Sequence, residues 1–128
     1  MKKSFLLLFF ALIIFSGCSR SFFNVNDGFD NNLNDFYVLI KYRDDKVNLN
    51  NGLFEYLDTS ESSWVEGAWY DSDNEYMVIN LNGVYYHYCE MPDSAWSRFE
   101  LSESFGSDYN EYIKGNYDCR LGYVPSYK

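Results

Sequence analysis

Three cysteines and a single histidine are the residues of this 128-residue chain whose side chains most readily do chemistry. His87 and Cys89 lie two positions apart in an aromatic segment, so on a β-strand both side chains would point to one face. Such a pair could begin a metal site, but zinc sites use three or four ligands and no second group of ligands appears. We therefore predict that hydrogen bonds satisfy the His87 ring, and that the chain binds no metal and no cofactor.

The single histidine also limits the enzyme chemistry that the chain could perform. A Ser-His-Asp or Cys-His arrangement would have to use His87, and no serine stands in a nucleophile-elbow motif. Carboxylates are frequent in two regions, but general acid catalysis requires a carboxyl group removed from water, and acids in exposed turns stay ionised. We expect no catalytic activity from these carboxylates, which are Asp71, Asp73, Glu75, Glu100, Glu103 and Asp108.

The first 17 residues have the features of an export signal. Lys2 and Lys3 precede an apolar run, Phe5–Phe15, which is shorter than the roughly 20 residues that a membrane-spanning helix needs. The run ends in Ser16-Gly17-Cys18, which resembles the lipobox of bacterial lipoproteins, where the cysteine thiol receives a diacylglyceryl group and becomes the new N-terminus. We predict a lipoprotein signal peptide over residues 1–17 and a lipid on Cys18; the alternative is an N-terminal core helix with a buried cysteine.

The charge of the chain limits its partners. The net charge is −9, and it becomes −11 when the two leader lysines are removed. Nucleic acid and anionic lipid headgroups repel so acidic a protein. We therefore expect the protein to bind the membrane through acyl chains on Cys18. The predicted location is the extracytoplasmic side of the cell envelope, at the outer membrane if the cell has two. Disulfides form there, and Cys89 and Cys119 either pair or remain separate thiols.

The rest of the chain predicts an α+β fold with an additional N-terminal strand. Residues 18–35 are expected to form a flexible tether, residues 36–62 a strand (36–42) and loops, and residues 118–128 a tail or edge strand. Alternating segments at 64–70, 76–81 and 84–89, with Asn82-Gly83 as a hairpin turn, predict a three-stranded antiparallel meander. Two short helices follow, from Asp93 or Ser94 to about Ser104 and from Ser107 or Asp108 to near Gly115, with Gly106 as the break between them.

Residues 63–117 resemble the KTSC domain, a small module found at the C-terminus of some lysyl-tRNA synthetases and as stand-alone proteins. The resemblance implies the same fold, and it implies no enzyme chemistry. The synthetase setting would suggest a nucleic acid ligand, but Phe105, Ser107, Asp108 and Asn116 occupy positions where the family tends to be basic, so we predict that nucleic acid is not the partner. The matching motif residues are Tyr86, Tyr88, Pro92, Ser104, Gly106, Asn110, Ile113, Lys114 and Tyr117.

Aromatic residues make up 21% of the chain, which is more than a small core usually buries. A Tyr/Trp platform exposed on one face of the sheet could bind a glycan or a protein. The alternative is that the N-terminal segment packs over that face. The residues of the expected platform are Trp64, Trp69, Tyr70, Tyr85 and His87.

These observations favour a membrane-anchored lipoprotein whose small KTSC-like module binds a basic protein or an envelope polymer without catalysis. Two alternatives come from other classes. One is an immunity- or exclusion-type lipoprotein that neutralises a basic toxin, and the other is an envelope hydrolase that uses surface carboxylates.

Overall fold

The computed structural model describes residues 35–127, so Cys18, the predicted signal peptide and nearly all of the predicted tether lie outside the described residues. The described part is α+β, as the sequence predicts, with six strands followed by short helices. In chain order the elements are β1 (Tyr37–Leu39), β2 (Lys46–Asn48), β3 (Glu55–Leu57), β4 (Val65–Asp71), β5 (Tyr76–Leu81), β6 (Val84–Tyr88), α1 (Asp93–Glu100), α2 (Phe105–Asp108) and a π-helical turn (Tyr109–Ile113).

The main sheet has four antiparallel strands in the order β3-β4-β5-β6, and not the three expected. The fourth strand, β3, pairs with β4, with Leu57 opposite Ala68. The hairpin between β5 and β6 turns at Asn82 and Gly83, whose φ angles of 50° and 82° are both positive. That combination is the one a type I′ turn requires and an Asn-Gly pair tolerates best, which is why the sequence predicted this hairpin.

The N-terminal strand is shorter than predicted and belongs to a second, two-stranded sheet. β1 pairs with β2 in antiparallel register, with Val38 opposite Val47. Immediately after β1, Ile40 forms a parallel bridge to Tyr85, and the amide of Lys41 donates to the Tyr85 carbonyl at 2.8 Å. The hairpin is thereby joined to the outer edge of β6.

β5 is buried on both faces, and this arranges the molecule in three layers. Met77 and Ile79 face a core made with the helices, whereas Tyr76 and Val78 face a core made with the N-terminal hairpin and the C-terminal tail. All four side chains are fully buried. The sequence of a strand with two buried faces is a continuous apolar run, and not an alternation of apolar and polar residues, because side chains on both faces enter a core.

The helical region differs from the prediction at its internal boundaries. α1 ends at Glu100 rather than near Ser104, and α2 begins at Phe105, so Gly106 lies inside a helix instead of breaking one. A Cβ atom on Gly106 would lie only 2.6 Å from Nε1 of Trp64, so glycine is required there by the close approach of the indole ring.

The C-terminal tail forms no strand within residues 118–127; it is held by side chains. Tyr127 donates a hydrogen bond of 2.7 Å to Asp71, and its ring packs 5.0 Å from that of Phe54. No helix in the described range has the length and apolar character needed to cross a membrane.

Candidate functional site

A groove runs along the edge of β6 that does not pair with β5, and we call it the β6 groove. Its volume is about 520 Å³, and its walls come from the end of the N-terminal hairpin, from β6 and from the chain after the π-helical turn. The side chains that give the groove its character are those of Lys41, Tyr42, Tyr86, His87, Tyr88, Asn116, Asp118, Cys119 and Arg120.

Tyrosines form one wall of the β6 groove. Tyr86 and Tyr88 alternate along β6 and are half-buried, and the Tyr88 hydroxyl lies 2.6 Å from that of Tyr109. Tyr42 stands opposite with 81% of its surface exposed and with a positive φ of 68°. An exposed ring on a strained, left-handed residue is costly to maintain, so Tyr42 is a natural candidate for ligand contact.

Cations accompany these rings. Nζ of Lys41 lies 5.2 Å from the ring centre of Tyr42 and 5.3 Å from that of Tyr86, within the range of cation–π attraction. Arg120 pairs with Asp118, and its hydrogen bonds lower the pKa of that carboxyl to about 2. Two cations and one carboxylate therefore line a groove on a chain whose net charge is −9.

The His87 ring lies at the boundary between the β6 groove and the tail-side core. Its Nδ1 atom lies 3.0 Å from the Tyr76 hydroxyl, to which Arg43 donates at 3.1 Å. Burial, and after it the positive charge of Arg43, lowers the pKa of His87, so the imidazole is neutral at pH 7. Arg43 is itself held by Asp45 at 2.8 Å and by the Pro125 carbonyl at 2.9 Å.

Cys89 and Cys119 form a disulfide beside this ring. Their Cα atoms are 4.8 Å apart and both side chains are buried. The sequence left pairing and separate thiols open, because parity alone cannot decide between them; the structure has the pair. One ligand atom from each of His87, Cys89 and Cys119 lies within 4.8 Å of the others, a proximity that the spacing of Cys119 in the sequence does not reveal.

The aromatic platform expected on the sheet face does not form one exposed surface. Trp69 is 8% exposed and Tyr70 is 2% exposed. Trp69 packs against Tyr56 and Tyr85 of its own sheet and against Phe36. The N-terminal segment covers this face, as the alternative prediction stated.

Trp64 and Tyr70 lie on the opposite side of the sheet from Trp69. The Trp64 ring lies over Gly106 and edge-on to Tyr109, on the helix side of the sheet. Tyr70, on the same side, stacks on Trp96 and donates to the Met91 carbonyl at 2.7 Å. Only Tyr85 and His87 remain half-exposed near each other, and His87 alone of the five lines the β6 groove.

The motif residues of the resemblance are spread through the C-terminal half. Pro92 and Ser104 precede α1 and α2 as their N-cap residues, and Ile113 is buried in the helix-side core. Asn110 and Lys114 are exposed, whereas Tyr117 is half-buried and its carbonyl accepts from the amide of Cys89. Tyr86 and Tyr88 are the members of this set that line the β6 groove.

One carboxylate of the expected acidic turn is buried. Asp71 is 2% exposed, and its oxygens accept from the amides of Asp73 and Asn74, from Asn74 Nδ2 and from Tyr127. These four hydrogen bonds tie the backbone of the turn and the C-terminal tail to one side chain, so Asp71 is a structural anchor for both.

One segment of the chain matches a known protein family. Residues 61–117 match the family model of the KTSC domain. The match supports the KTSC family for this part of the chain. It covers β4 through the π-helical turn, whereas the N-terminal hairpin, β3 and Cys119 lie outside it. No curated protein and no solved structure matches the chain.

Proposed function

We propose that the chain is a membrane-anchored lipoprotein whose KTSC-like body is a binding module without catalytic activity. The anchor is supported by the charged and apolar leader that ends in Ser16-Gly17-Cys18. The binding role is supported by one observation above the others: the β6 groove exposes Tyr42 and Lys41 together on an otherwise acidic chain.

The chemistry of the groove favours an envelope polymer over a basic protein. Tyrosine rings offer flat apolar surface on which sugar rings stack, and the Asn116 amide and the hydroxyls of Tyr42 and Tyr86 offer polar contacts. Lys41 and Arg120 would attract acidic groups on such a polymer and repel a basic partner. The proposed ligand is therefore an acidic glycan of the envelope.

Replacement of the exposed wall tests this binding. In the Tyr42→Ala and Lys41→Ala variants we expect affinity for isolated cell-wall glycan to fall about fivefold, the equivalent of about 1 kcal/mol for one lost ring or cation contact. Co-sedimentation with the insoluble glycan measures the affinity. The affinity of the parent chain should weaken as salt is raised, because salt screens the attraction between Lys41 and acidic groups.

Two exposed residues outside the groove provide matched controls. Tyr37→Ala and Lys46→Ala remove the same side-chain types from the N-terminal hairpin, where both are exposed, and should leave binding unchanged. Equal retention of glycan by the groove variants and these controls would contradict a ligand site in the β6 groove.

The anchor is tested separately by metabolic labelling with a palmitate analogue. We expect the parent chain to be labelled and to fractionate with membranes. The Cys18→Ala variant should show neither property, because it lacks the thiol that would accept the diacylglyceryl group. Equal labelling of the two proteins would exclude Cys18 as the attachment point while leaving the groove experiment interpretable.

A further inference from the structure

Reduction of the Cys89–Cys119 disulfide would leave two thiols beside the His87 imidazole. His87, Cys89 and Cys119 are the described residues that bring three metal-ligating atoms within 4.8 Å of one another. Two thiolates and an imidazole are a donor set that suits zinc, whose ligand atoms stand about 3.3–3.8 Å apart in a tetrahedral site. In the opened form the two sulfur atoms would separate to that distance, and ligand atoms up to 4.8 Å apart would approach by about 1 Å.

We propose that His87, Cys89 and Cys119 form a redox-gated zinc site, closed while the disulfide is intact and able to bind one Zn²⁺ ion once a dithiol reductant has opened it. This proposal does not depend on the lipid anchor or on a glycan ligand.

The surroundings of the cluster support it in three ways. The Tyr76 hydroxyl, 3.0 Å from Nδ1, fixes the orientation of the His87 ring, as hydrogen-bonded partners do for metal-bound histidines. With the metal on Nε2, Nδ1 would carry the proton and donate to the Tyr76 oxygen, which also accepts from Arg43. His87 and Cys119 both line the β6 groove, which gives an ion and a solvent ligand a route to the site. Cys89 and Cys119 are nearly fully buried, which protects the bound ion from exchange.

The charges also balance. Zn²⁺ with two thiolates and a neutral imidazole has no net charge, so the nearby cations Arg43 and Lys41 do not oppose its binding. The fourth position is left to water, because the cluster supplies three protein ligands.

The two steps conserve atoms and electrons. The external dithiol gives two electrons and two protons to the Cys89–Cys119 bond, which becomes two thiols while the dithiol becomes a disulfide. Zn²⁺ then displaces the two thiol protons, which go to solvent, and forms two zinc–sulfur bonds and one zinc–nitrogen bond.

The test uses the full chain in detergent with Cys18→Ser as the common background, because Cys18 would otherwise add a third thiol. After reduction with a dithiol and its removal under anaerobic conditions, we expect one equivalent of Zn²⁺ to bind, measured by competition with a chromophoric chelator. Co²⁺ should give the sulfur-to-metal charge-transfer band of a two-thiolate site. The oxidised protein should show neither.

His87→Gln in the same background separates the site from a simple pair of thiols. This variant keeps the disulfide, so its oxidised form should contain as few free thiols as the parent, whereas its reduced form should bind Zn²⁺ at least about tenfold more weakly. Near-UV circular dichroism of the reduced parent should regain the oxidised signal when Zn²⁺ is added. Equal zinc affinity in parent and His87→Gln, no stoichiometric binding by the reduced parent, or a near-UV signal that zinc does not restore would each overturn the proposal.

Discussion

At Gly106 the fold requires the absence of a side chain. The sequence suggested a helix break, yet the residue lies within α2, and its backbone supports the indole of Trp64. Trp64, which immediately precedes β4, packs edge-on to Tyr109 in the π-helical turn. The absence of a side chain at Gly106 therefore permits an aromatic contact between the sheet and the helical region. From the sequence, a glycine that breaks a helix cannot be told from a glycine that is needed because another side chain lies close to its backbone.

Replacement of Gly106 by alanine should therefore destabilise the protein despite alanine's higher helix propensity. We expect a loss of about 1–3 kcal/mol, because the new Cβ must displace the Trp64 ring from a packed core. Urea unfolding followed by tryptophan fluorescence measures this, and the exposed neighbour Ser107→Ala is the control. A Gly106→Ala protein as stable as Ser107→Ala would show that the ring moves away freely.

Trp69 shows why burial could not be assigned from β4 alone. Its position beside Tyr70 on a strand places the two rings on opposite faces, and a local pattern cannot say whether a second layer covers each face. The covering residues, such as Phe36 and Val38, come from the N-terminal hairpin, about 30 positions earlier in the chain. For the same reason the β6 groove was missed, since Lys41 meets Tyr86 only after the hairpin docks.

β3 and α1 bring two like charges together at the edge of the main sheet. Burial, and after it the hydrogen bond and charge of Glu55, raises the pKa of Glu100, which also ends α1, where the helix dipole disfavours an anion. A carboxyl whose folded pKa is raised binds more protons in the folded state than in the unfolded state. Its contribution to stability is therefore lost as the pH rises through the folded pKa.

The Glu55→Gln variant should relieve this effect. We expect its melting temperature to exceed the parent's by about 1–3 °C at pH 8, with the difference smaller at pH 5, where Glu100 is more protonated in the parent. Differential scanning calorimetry at the two pH values measures it, with Glu61→Gln as an exposed control. A difference that is constant with pH, or larger at pH 5, would contradict the like-charge interaction.

Among the elements, those set by local chemistry were predicted and those set by distant pairing were not. The β4-β5-β6 meander followed from alternating apolar residues and from Asn82-Gly83, whose turn geometry the structure reproduces. β3 is three residues long, and its strand state depends on the β4 edge that receives it. The sequence predicts that α1 runs to about Ser104, whereas α1 ends at Glu100 and Ser104 is the N-cap residue of α2.

Across the whole molecule, the disulfide joins the end of β6 to the C-terminal tail, and the tail in turn packs on the N-terminal hairpin side. The bond closes a loop of 30 residues, so its removal should destabilise the protein by about 3.5 kcal/mol if the loss is mainly chain entropy. Chemical unfolding of the Cys89→Ala/Cys119→Ala double variant measures this, with Cys18→Ala as the single-cysteine control. A loss below about 1 kcal/mol would show that the tail is held equally well by Tyr127 and its neighbours.

The double burial of β5 has a practical consequence for anyone expressing this protein in pieces. The family match ends before Cys119 and begins after the hairpin that shields Tyr76, Val78 and Trp69. A fragment trimmed to residues 61–117 would expose one apolar face of its sheet to solvent and would leave Cys89 without its disulfide partner. Both changes favour aggregation. The stretch that homology recognises is thus smaller than the stretch that must be made to obtain a well-behaved sample.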